Sequence, residues 1–387
     1  MQNYLCLSID GLQCGMIGAY GNSWIQTPTL DSLACQSALF DRFYASSLDI
    51  SQTLQELWQF PLSRYKEYHK VLLTDDADVF VHEQAGLFDE KHQLPPAFLH
   101  TKVPQRRGVL KSNPLLHRQR GRIAARRPVD SPINRPAARI EETQFYHNIA
   151  LLISQLRQRP AKPFFCWIHL RGFRSPWDFP MEYRHRYQID EDPKSYSKVS
   201  LPNITLDKHS NPDVRQSITQ AYSGGVSVFD DVLSGLLEFF RAEGLDRNSV
   251  FLLLSVRGFS LGEHRYIGVS DDLYGENVHL PMMIRFPHST GAEQVYAGFR
   301  SQTLLQPADV WWLLTGGVSA PDGKYLPDEP DERHLFIRID RDVIVMPDWF
   351  VYRKPAGIEL YVKPDDRWEV NDVANRCPHI LEEIRFD

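Results

Sequence analysis

Acidic residues that could bind a hard cation stand directly after apolar runs of the sequence. Asp10 follows the first such run, and Asp75, Asp76 and Asp78 follow a later one. Carboxylate oxygens are the ligands that Ca²⁺ and Mg²⁺ prefer, but neither this group nor the pair at 271–272 has the spacing of a cation-binding loop. Turn formation is an alternative for Asp10 and the better explanation for the others. No zinc motif accompanies them, because these histidines show no close pairing: His82, His92, His100 and His117.

A second candidate feature is the arginine-rich stretch from Arg106 to Arg139. Its positive charge could meet phosphate, nucleic acid or an acidic partner protein. Aromatic residues for stacking on bases are absent from it, so nucleic acid is not the expected partner and a solvated loop is the favoured interpretation. The chain of 387 residues has a formal net charge of −6, which gives no strong attraction to nucleic acid or to an anionic membrane.

The order of the apolar segments predicts the elements that must position these groups. Almost continuous apolar runs predict buried strands at residues 4–9, 70–74, 164–170 and 250–254. Segments with helical spacing alternate with them and predict helices at about 28–37, 139–158 and 213–243. This alternation indicates right-handed crossovers and a parallel sheet, which is an α/β fold.

The pattern changes beyond about residue 290. Shorter strands are predicted there at 335–339, 343–345 and 360–362, followed by a helix at about 378–384. We therefore predict an α/β core over residues 1–290, with a basic excursion at about 100–140. A small α+β subdomain, with about four antiparallel strands and one helix, is predicted over 291–387.

The cysteines and the first residues of the sequence indicate the cellular compartment in which the protein is expected. The five cysteines are an odd number without CxxC spacing, which predicts reduced, buried thiols. The apolar segment at the start is too short for a signal peptide, and no stretch reaches the roughly 18 apolar residues that a membrane helix needs. We expect no membrane association and a cytoplasmic location.

Short phrases along most of the chain, excepting about residues 85–140, carry a family pattern. They are Ser8-Ile-Asp-Gly-Leu12, Thr27-Pro-Thr-Leu-Asp-Ser-Leu-Ala34, Phe40 to Ala45, Pro163 to Leu170, Ala221 to Leu245, Gly262-Glu-His264, Leu280 to Pro287 and Glu359 to Asn371. In this order they resemble the sulfatase family of the alkaline-phosphatase superfamily. The resemblance implies a three-layer α/β sandwich with a large, mostly parallel mixed sheet and a small C-terminal antiparallel subdomain.

The resemblance also implies a site at the C-terminal ends of the parallel strands. In that family a Ca²⁺ or Mg²⁺ ion held by carboxylates helps to bind a sulfate ester. A cysteine in a Cys-x-Pro-x-Arg phrase becomes formylglycine and attacks sulfur as its hydrate. Lys, His and Arg side chains neutralise the charge of the substrate and of the leaving oxygen.

Most metal ligands implied by the resemblance are replaced. Asp10 matches the first carboxylate ligand, but Gly11 stands at the second, and Val256 and Arg257 stand at the other two. One carboxylate cannot hold a cation that takes six to eight oxygen ligands. Our hypothesis is that the guanidinium of Arg257 substitutes for the metal by pairing with Asp10. The alternative, which the sequence leaves open, is that Arg257 points into solvent.

The other catalytic positions are altered as well. The nucleophile phrase falls near residues 48–53, which contain no Cys, Pro or Arg, and Ser51 is the best-placed hydroxyl there. A helix N-cap is the favoured alternative for Ser51. Arg174 replaces a histidine and could bind an oxyanion with its planar fork, and Val269 lies near the position of a usual lysine. His264 is retained and is assigned to anion binding, although its phrase also supports the loops beside the site.

Three functions remain open on this evidence. The first is a catalytically silent sulfatase homologue with a binding or regulatory role and no cofactor, because groups that act as a unit lose activity together. The second is an atypical sulfate-ester or phosphate-ester hydrolase that uses Ser51 or water, with Arg174 and Arg257 binding the substrate anion in place of the cation. Ca²⁺ or Mg²⁺ is the expected cofactor if the family's activity is retained. The third is an anion-binding or partner-binding module for a sulfated or phosphorylated ligand. The oligomeric state is left open.

Overall fold

The computed structural model describes residues 2–64, 66–95, 135–159, 162–288, 296–319 and 335–386. Most of the arginine-rich stretch predicted from Arg106 therefore lies outside the described residues, and its role stays a prediction. The helices are α1 Pro28–Cys35, α2 Ile50–Arg64, α3 Ala77–Val81, α4 Gln144–Gln158, α5 Met181–Arg184, α6 Pro212–Ala242, α7 Gly275–Val278, α8 Val310–Ser319 and α9 Pro378–Glu383.

Eight strands form the large sheet, and the others form two small ones. The large sheet contains β1 Asn3–Asp10, β2 Ala38–Tyr44, β3 His69–Thr74, β4 Glu90–Gln93, β5 Phe164–Leu170, β7 Ser249–Arg257, β10 His279–Arg285 and β11 Arg300–Ser301. A three-stranded sheet contains β6 Ile204–Thr205, β8 Ser260–Leu261 and β9 Tyr266–Gly268. The C-terminal sheet contains β12 Ile337–Ile339, β13 Val343–Val345, β14 Trp349–Lys354 and β15 Gly357–Val362.

The large sheet is mixed but mainly parallel, in the order β11-β2-β10-β7-β1-β5-β3-β4. Strand β1 lies at its centre and pairs in parallel with β5 and β7, whereas β10 runs antiparallel to β2 and β7. The predicted fold class is confirmed. All four predicted strands of the core are present, and β7 continues past Leu254 to Arg257. The sheet also extends beyond the predicted boundary near residue 290, because Arg300–Ser301 pairs with β2.

Both faces of the large sheet are covered by apolar side chains, as expected for a parallel sheet between helices. Alternate residues of β1 show this arrangement: Leu5, Leu7 and Ile9 pack with α1, α4 and α6, while Tyr4 and Cys6 pack with α2 and α8. The 31-residue helix α6 buries most of one side against the sheet. No helix within the described ranges is long and apolar enough to span a membrane.

Three local predictions differ from the structure. The helix expected from 139 begins at Gln144, because Thr143 accepts a hydrogen bond from Tyr146 N and caps it there. Helix α1, predicted over about 28–37, ends at Cys35, and the carboxylate of Asp230 on α6 accepts hydrogen bonds from the backbone at its start. All five cysteines are unpaired, as expected, but Cys35 is exposed rather than buried.

The C-terminal sheet is antiparallel throughout, and it packs between the core and α9. One face of β12 and β13 joins the apolar cluster beneath α2 and α8, and the other face packs on the C-terminal helix. Strand β14, which the apolar pattern did not reveal separately, pairs with both β13 and β15. The small antiparallel subdomain predicted at the C-terminus is therefore present.

His264 joins the core to the loop that follows β15. Its Nδ1 lies 2.9 Å from the Glu276 carboxylate, and its Nε2 lies 3.0 Å from the backbone carbonyl of Glu369. Both partners are acceptors, so both ring nitrogens donate when the imidazole is protonated. Burial lowers the pKa of His264, but the hydrogen bond to Glu276 and the nearby carboxylates outweigh it and raise this pKa above its ordinary value.

We predict that His264→Gln destabilises the fold more at pH 6 than at pH 8.5, by on the order of 1 kcal/mol. The raised pKa means that protonated His264 stabilises the folded state. This contribution is complete below the unfolded pKa of about 6.5 and is lost as the pH rises through the folded value. Urea denaturation of both proteins from pH 5.5 to 9 measures the difference.

Glu369, whose pKa burial raises to about 7, titrates in the same range, but it is present in both proteins and the comparison between them isolates His264. The exposed His185 offers a matched control, and we expect His185→Gln to have a stability close to that of the wild type. A gap between wild type and His264→Gln that widens with rising pH would contradict the prediction.

Candidate functional site

Asp10 stands at the C-terminal end of the central strand β1, and a bulge in β7 brings a guanidinium onto it. Ile9 pairs with Ser255 and Asp10 pairs with Arg257, so Val256 is the extra residue of β7. The Ser255 Oγ lies 2.7 Å from the Arg257 carbonyl and 3.0 Å from the Ile9 carbonyl, so its one hydroxyl hydrogen is donated within this irregularity. Val256 points into the apolar cluster and is fully buried, which leaves no ligand at that position.

Arg257 holds the Asp10 carboxylate through two hydrogen bonds. Its Nε lies 3.2 Å from Oδ1, and its Nη2 donates to Oδ2. Its remaining terminal nitrogen, Nη1, donates to the backbone carbonyl of Leu48 at 3.1 Å. The Asp10 side chain is only 2% exposed, whereas that of Arg257 is 17% exposed. The guanidinium therefore lies on the carboxylate and does not point into solvent.

Gly11 cannot be replaced by a second carboxylate without rearrangement. Its φ is +80°, a left-handed conformation that favours glycine, and its amide donates to the Arg257 carbonyl at 2.9 Å. A Cβ at this position would meet Arg174 Cγ at 3.0 Å and Phe173 Cβ at 3.1 Å. The backbone conformation and the local packing therefore both exclude a second carboxylate ligand at position 11.

Arg174 approaches Asp10 from the turn after β5. Its Nη1 lies 3.7 Å from Asp10 Oδ1, and its side chain is 15% exposed. The turn lies this close because Gly172 has φ +53°, and a Cβ there would meet Asp10 O at 2.6 Å. Among the described residues, no hydrogen bond from the Arg174 guanidinium is found. Burial lowers the pKa of Arg174, opposed by the charge of Asp10, but arginine stays charged at neutral pH.

Ser51 is exposed in the first turn of α2. Its amide donates to the Asp49 carboxylate at 2.9 Å, and Thr53 N donates to the Asp49 carbonyl at 3.1 Å. The N-cap interpretation of Ser51 is therefore wrong, because Asp49 has that role. In the described part of the chain, no hydrogen bond connects the Ser51 hydroxyl to Arg174 or Arg257, and its catalytic role stays a prediction.

His264 also stays a prediction as an anion ligand. Both of its ring nitrogens contact acceptors of the protein, Glu276 and the Glu369 carbonyl, as described above. Over the residues that the structure covers, it has no hydrogen bond or ion pair with Asp10, Arg174 or Arg257. The structure thus brings together three of the predicted site residues and uses His264 to hold neighbouring loops.

The acidic residues after β3 brace the turn that carries Arg174. The Asp75 carboxylate accepts a hydrogen bond from the backbone amide of Arg171 at 2.8 Å and another from the side-chain amide of Asn148 at 2.7 Å. Asp76 caps α3 and lies 3.6 Å from Arg171 Nε. Burial raises the pKa of Asp75 to about 6. These carboxylates therefore have structural partners already.

His169 is a site neighbour that the sequence reasoning missed. It is fully buried on β5, opposite Ser8 in the register, and its Nδ1 lies 3.0 Å from the Ser8 hydroxyl. Its Nε2 has no partner among the described residues. Burial lowers the pKa of His169 to about 4, so the ring is neutral at pH 7. His169 lies at the C-terminal end of β5, two residues before Arg171. A histidine at the end of an apolar strand was the signal that the sequence offered.

The residues present do not fit a divalent cation. The Asp10 carboxylate is occupied by a guanidinium, position 11 has no room for a side chain, and Val256 faces the core. No group of three potential metal-ligating side chains (His, Cys, Asp or Glu) occurs in the part of the chain that the structure describes. A cation would also be repelled by the two guanidinium groups. The two guanidinium groups give the site one positive charge more than the Asp10 carboxylate balances. The guanidinium of Arg174 supplies the hydrogen-bond donors for a ligand.

Comparison with known proteins agrees with this architecture. A curated endo-4-O-sulfatase from Bacteroides thetaiotaomicron is 25% identical over 127 residues, which are 33% of this chain and 24% of that protein. The chain thus aligns with about a quarter of the length of this relative.

Solved structures match over the whole chain and show the fold. The phosphonate monoester hydrolase of Agrobacterium radiobacter has a TM-score of 0.68 at 16% identity, covering 99% of this chain and 93% of that one. A protein in complex with its substrate D-glucosamine-2-N,6-O-disulfate has a TM-score of 0.67 at 14% identity, covering 99% and 95%. The family model named Sulfatase matches residues 2–308. The chain therefore belongs to the sulfatase family.

Proposed function

We propose that this protein is a catalytically silent sulfatase homologue that binds an oxyanion ligand without turning it over. The observation that carries the proposal is the occupation of the Asp10 carboxylate by the guanidinium of Arg257. An internal cation at this place cannot act as a Lewis acid. It can still orient a sulfated or phosphorylated ligand by charge and hydrogen bonds.

The charge balance at the site favours an anion. Two guanidinium groups, Arg174 and Arg257, face the single carboxylate of Asp10. Asp10 uses both oxygens on Arg257 and is 3.7 Å from Arg174, which is longer than a hydrogen bond. The donors of Arg174 are therefore available for a ligand oxygen, in a position that is largely screened from solvent.

The same residues supply no proton-transfer chemistry at neutral pH. A guanidinium does not give up its proton in this range, so Arg174 cannot replace a histidine as general acid. His169 is neutral but fully buried, and the Ser51 hydroxyl has no base bonded to it in the described residues. Binding without turnover is the function that this set of groups supports best.

The relatives indicate which ligands to test first. One structural neighbour was solved with a sulfated glucosamine as its substrate, and another is a phosphonate monoester hydrolase. Both ligand classes present an oxyanion that a planar guanidinium can bind through two parallel hydrogen bonds. A sulfated or phosphorylated small molecule is therefore the proposed ligand class for this chain.

We predict that inorganic sulfate binds the wild-type protein saturably in isothermal titration calorimetry and that Arg174→Ala weakens it about tenfold, as the loss of a charge-assisted hydrogen bond implies. Arg174→Lys keeps the charge but loses the fork, and we expect an intermediate affinity. The exposed Arg241, on the far part of α6, provides the control, and Arg241→Ala should bind as the wild type does. Equal affinity in wild type and Arg174→Ala would overturn the assignment of Arg174.

The same preparations separate binding from catalysis. We expect no product from p-nitrophenyl sulfate or p-nitrophenyl phosphate with the wild-type protein, with or without added Ca²⁺ or Mg²⁺. Turnover that survives a chelator and disappears in Arg257→Ala would instead establish the atypical hydrolase. Turnover that requires added metal would show that ligands other than those identified here hold a cation.

We predict that Arg257→Ala lowers the free energy of unfolding by about 3 kcal/mol, because it leaves the buried Asp10 carboxylate without its partner. The double variant Asp10→Asn with Arg257→Ala should lose less than the sum of the two single changes, since the unpaired charge is gone. Urea denaturation of the four proteins at pH 7 measures this coupling. Additive losses would mean that the pair does not stabilise the site.

A further inference from the structure

A cavity lies beside the C-terminal sheet, apart from the Asp10 site. It has a volume of about 380 Å³ and is lined by Arg338, Asp340, Arg341, Val343 and Phe386. This volume falls within the range of small-molecule pockets, roughly 300–1,000 Å³. The cavity shares no lining residue with the Asp10 site, so the inference drawn from it does not depend on the proposed function.

The turn that forms one wall is held rigidly by the rest of the protein. Asp340 has a φ of +48° and donates its amide to the Ser46 carbonyl at 2.8 Å. Arg353 donates to the Arg341 carbonyl at 2.7 Å and to the Asp342 carboxylate at 3.1 Å. A polar turn fixed in a left-handed conformation by contacts from two sides is preorganised for binding.

Two of the three charged side chains that line the cavity have no polar partner in the described residues, and the third, Arg338, is partly engaged. Among the described residues, no hydrogen bond or ion pair is found for the Arg341 guanidinium or the Asp340 carboxylate, and both residues are exposed. Arg338 uses one terminal nitrogen on the Arg385 carbonyl at 2.8 Å and keeps its other donors. Two positive charges and one negative charge give this wall an excess of one positive charge.

Two apolar residues, Phe386 and Val343, complete the lining of the cavity. Phe386 lines the cavity, and the guanidinium of Arg353 lies 4.7 Å from the centre of its ring on a cation–π contact. Val343, at the start of β13, is almost completely buried in the core, so Phe386 supplies most of the apolar surface. An aromatic or aliphatic skeleton could rest on this surface while its charged group faces the arginines.

We propose that this cavity binds a small organic monoanion with an apolar skeleton and a hydroxyl or amino group. The anionic group lies between Arg338 and Arg341, the skeleton lies on Phe386, and the hydroxyl or amino group donates to the Asp340 carboxylate. Each of the three contacts satisfies a group that the fold leaves available. The ligand class thus differs from an inorganic oxyanion, which would leave the apolar surface and Asp340 unused.

The test uses 4-amino-1-naphthalenesulfonate, which carries all three features and whose fluorescence reports its surroundings. We expect saturable binding to the wild-type chain and a loss of about tenfold in affinity in Arg341→Ala, from the missing charge-assisted contact. Arg341 has no side-chain partner to lose among the described residues, so the variant should unfold at the same urea concentration as the wild type. Naphthalene-1-sulfonate, which lacks the amine, should bind more weakly to the wild type and equally to wild type and Asp340→Asn.

The remaining variants locate the probe. Arg174→Ala should bind it as the wild type does, and so should the control Arg247→Ala, an exposed arginine outside the cavity. Loss of binding in Arg174→Ala with full binding in Arg341→Ala would place the probe at the Asp10 site and overturn this proposal. Absence of saturable binding to the wild type would also overturn it, while leaving the sulfate titration of the Asp10 site unaffected.

Discussion

The bidentate contact between Asp10 and Arg257 is the constraint around which the site is arranged. It requires a bulge in β7, because only the extra residue Val256 brings Arg257 opposite Asp10 and sends the valine into the core. Arg257 also connects the pair to the segment before α2, because its Nη1 donates a hydrogen bond to the Leu48 carbonyl. One ion pair therefore joins the central strand, its neighbour and the loop that precedes a helix. A buried carboxylate without this partner would be costly.

The backbone around Asp10 accommodates the arginine side chains and leaves no room for a side chain at position 11. Gly11 and Gly172 both take left-handed conformations, and their lack of a side chain allows the turn carrying Arg174 to lie against the end of β1. Restoring a carboxylate at position 11 would demand both a different backbone conformation and a displaced Arg174. The arrangement around Asp10 and Arg257 thus involves the packing of several elements and not a single side chain.

Many of the contacts that hold the fold together lie away from the Asp10 site. The sheet is buried on both faces by two large apolar clusters, and α6 is anchored to α1 by the Asp230 carboxylate. His264, Glu276 and the loop around Glu369 connect the core to the C-terminal sheet. None of these contacts passes through Asp10 or Arg257. The architecture of the family is therefore present whatever chemistry the site carries out.

The sequence by itself determined the α/β class, the four core strands, the long helix α6 and the antiparallel C-terminal unit. Continuous apolar runs and helical spacing are local properties, and residues 4–9 or 250–254 carry them without reference to any partner. It also showed that Gly11, Val256 and Arg257 replace acidic and polar residues of the family pattern. Only the tertiary structure decided what those replacements do, because the position of Arg257 depends on a bulge between strands nearly 250 residues apart in sequence. Likewise the capping of α2 by Asp49, the engagement of both His264 nitrogens and the burial of His169 arise from contacts with neighbouring atoms, which residue type and spacing do not specify.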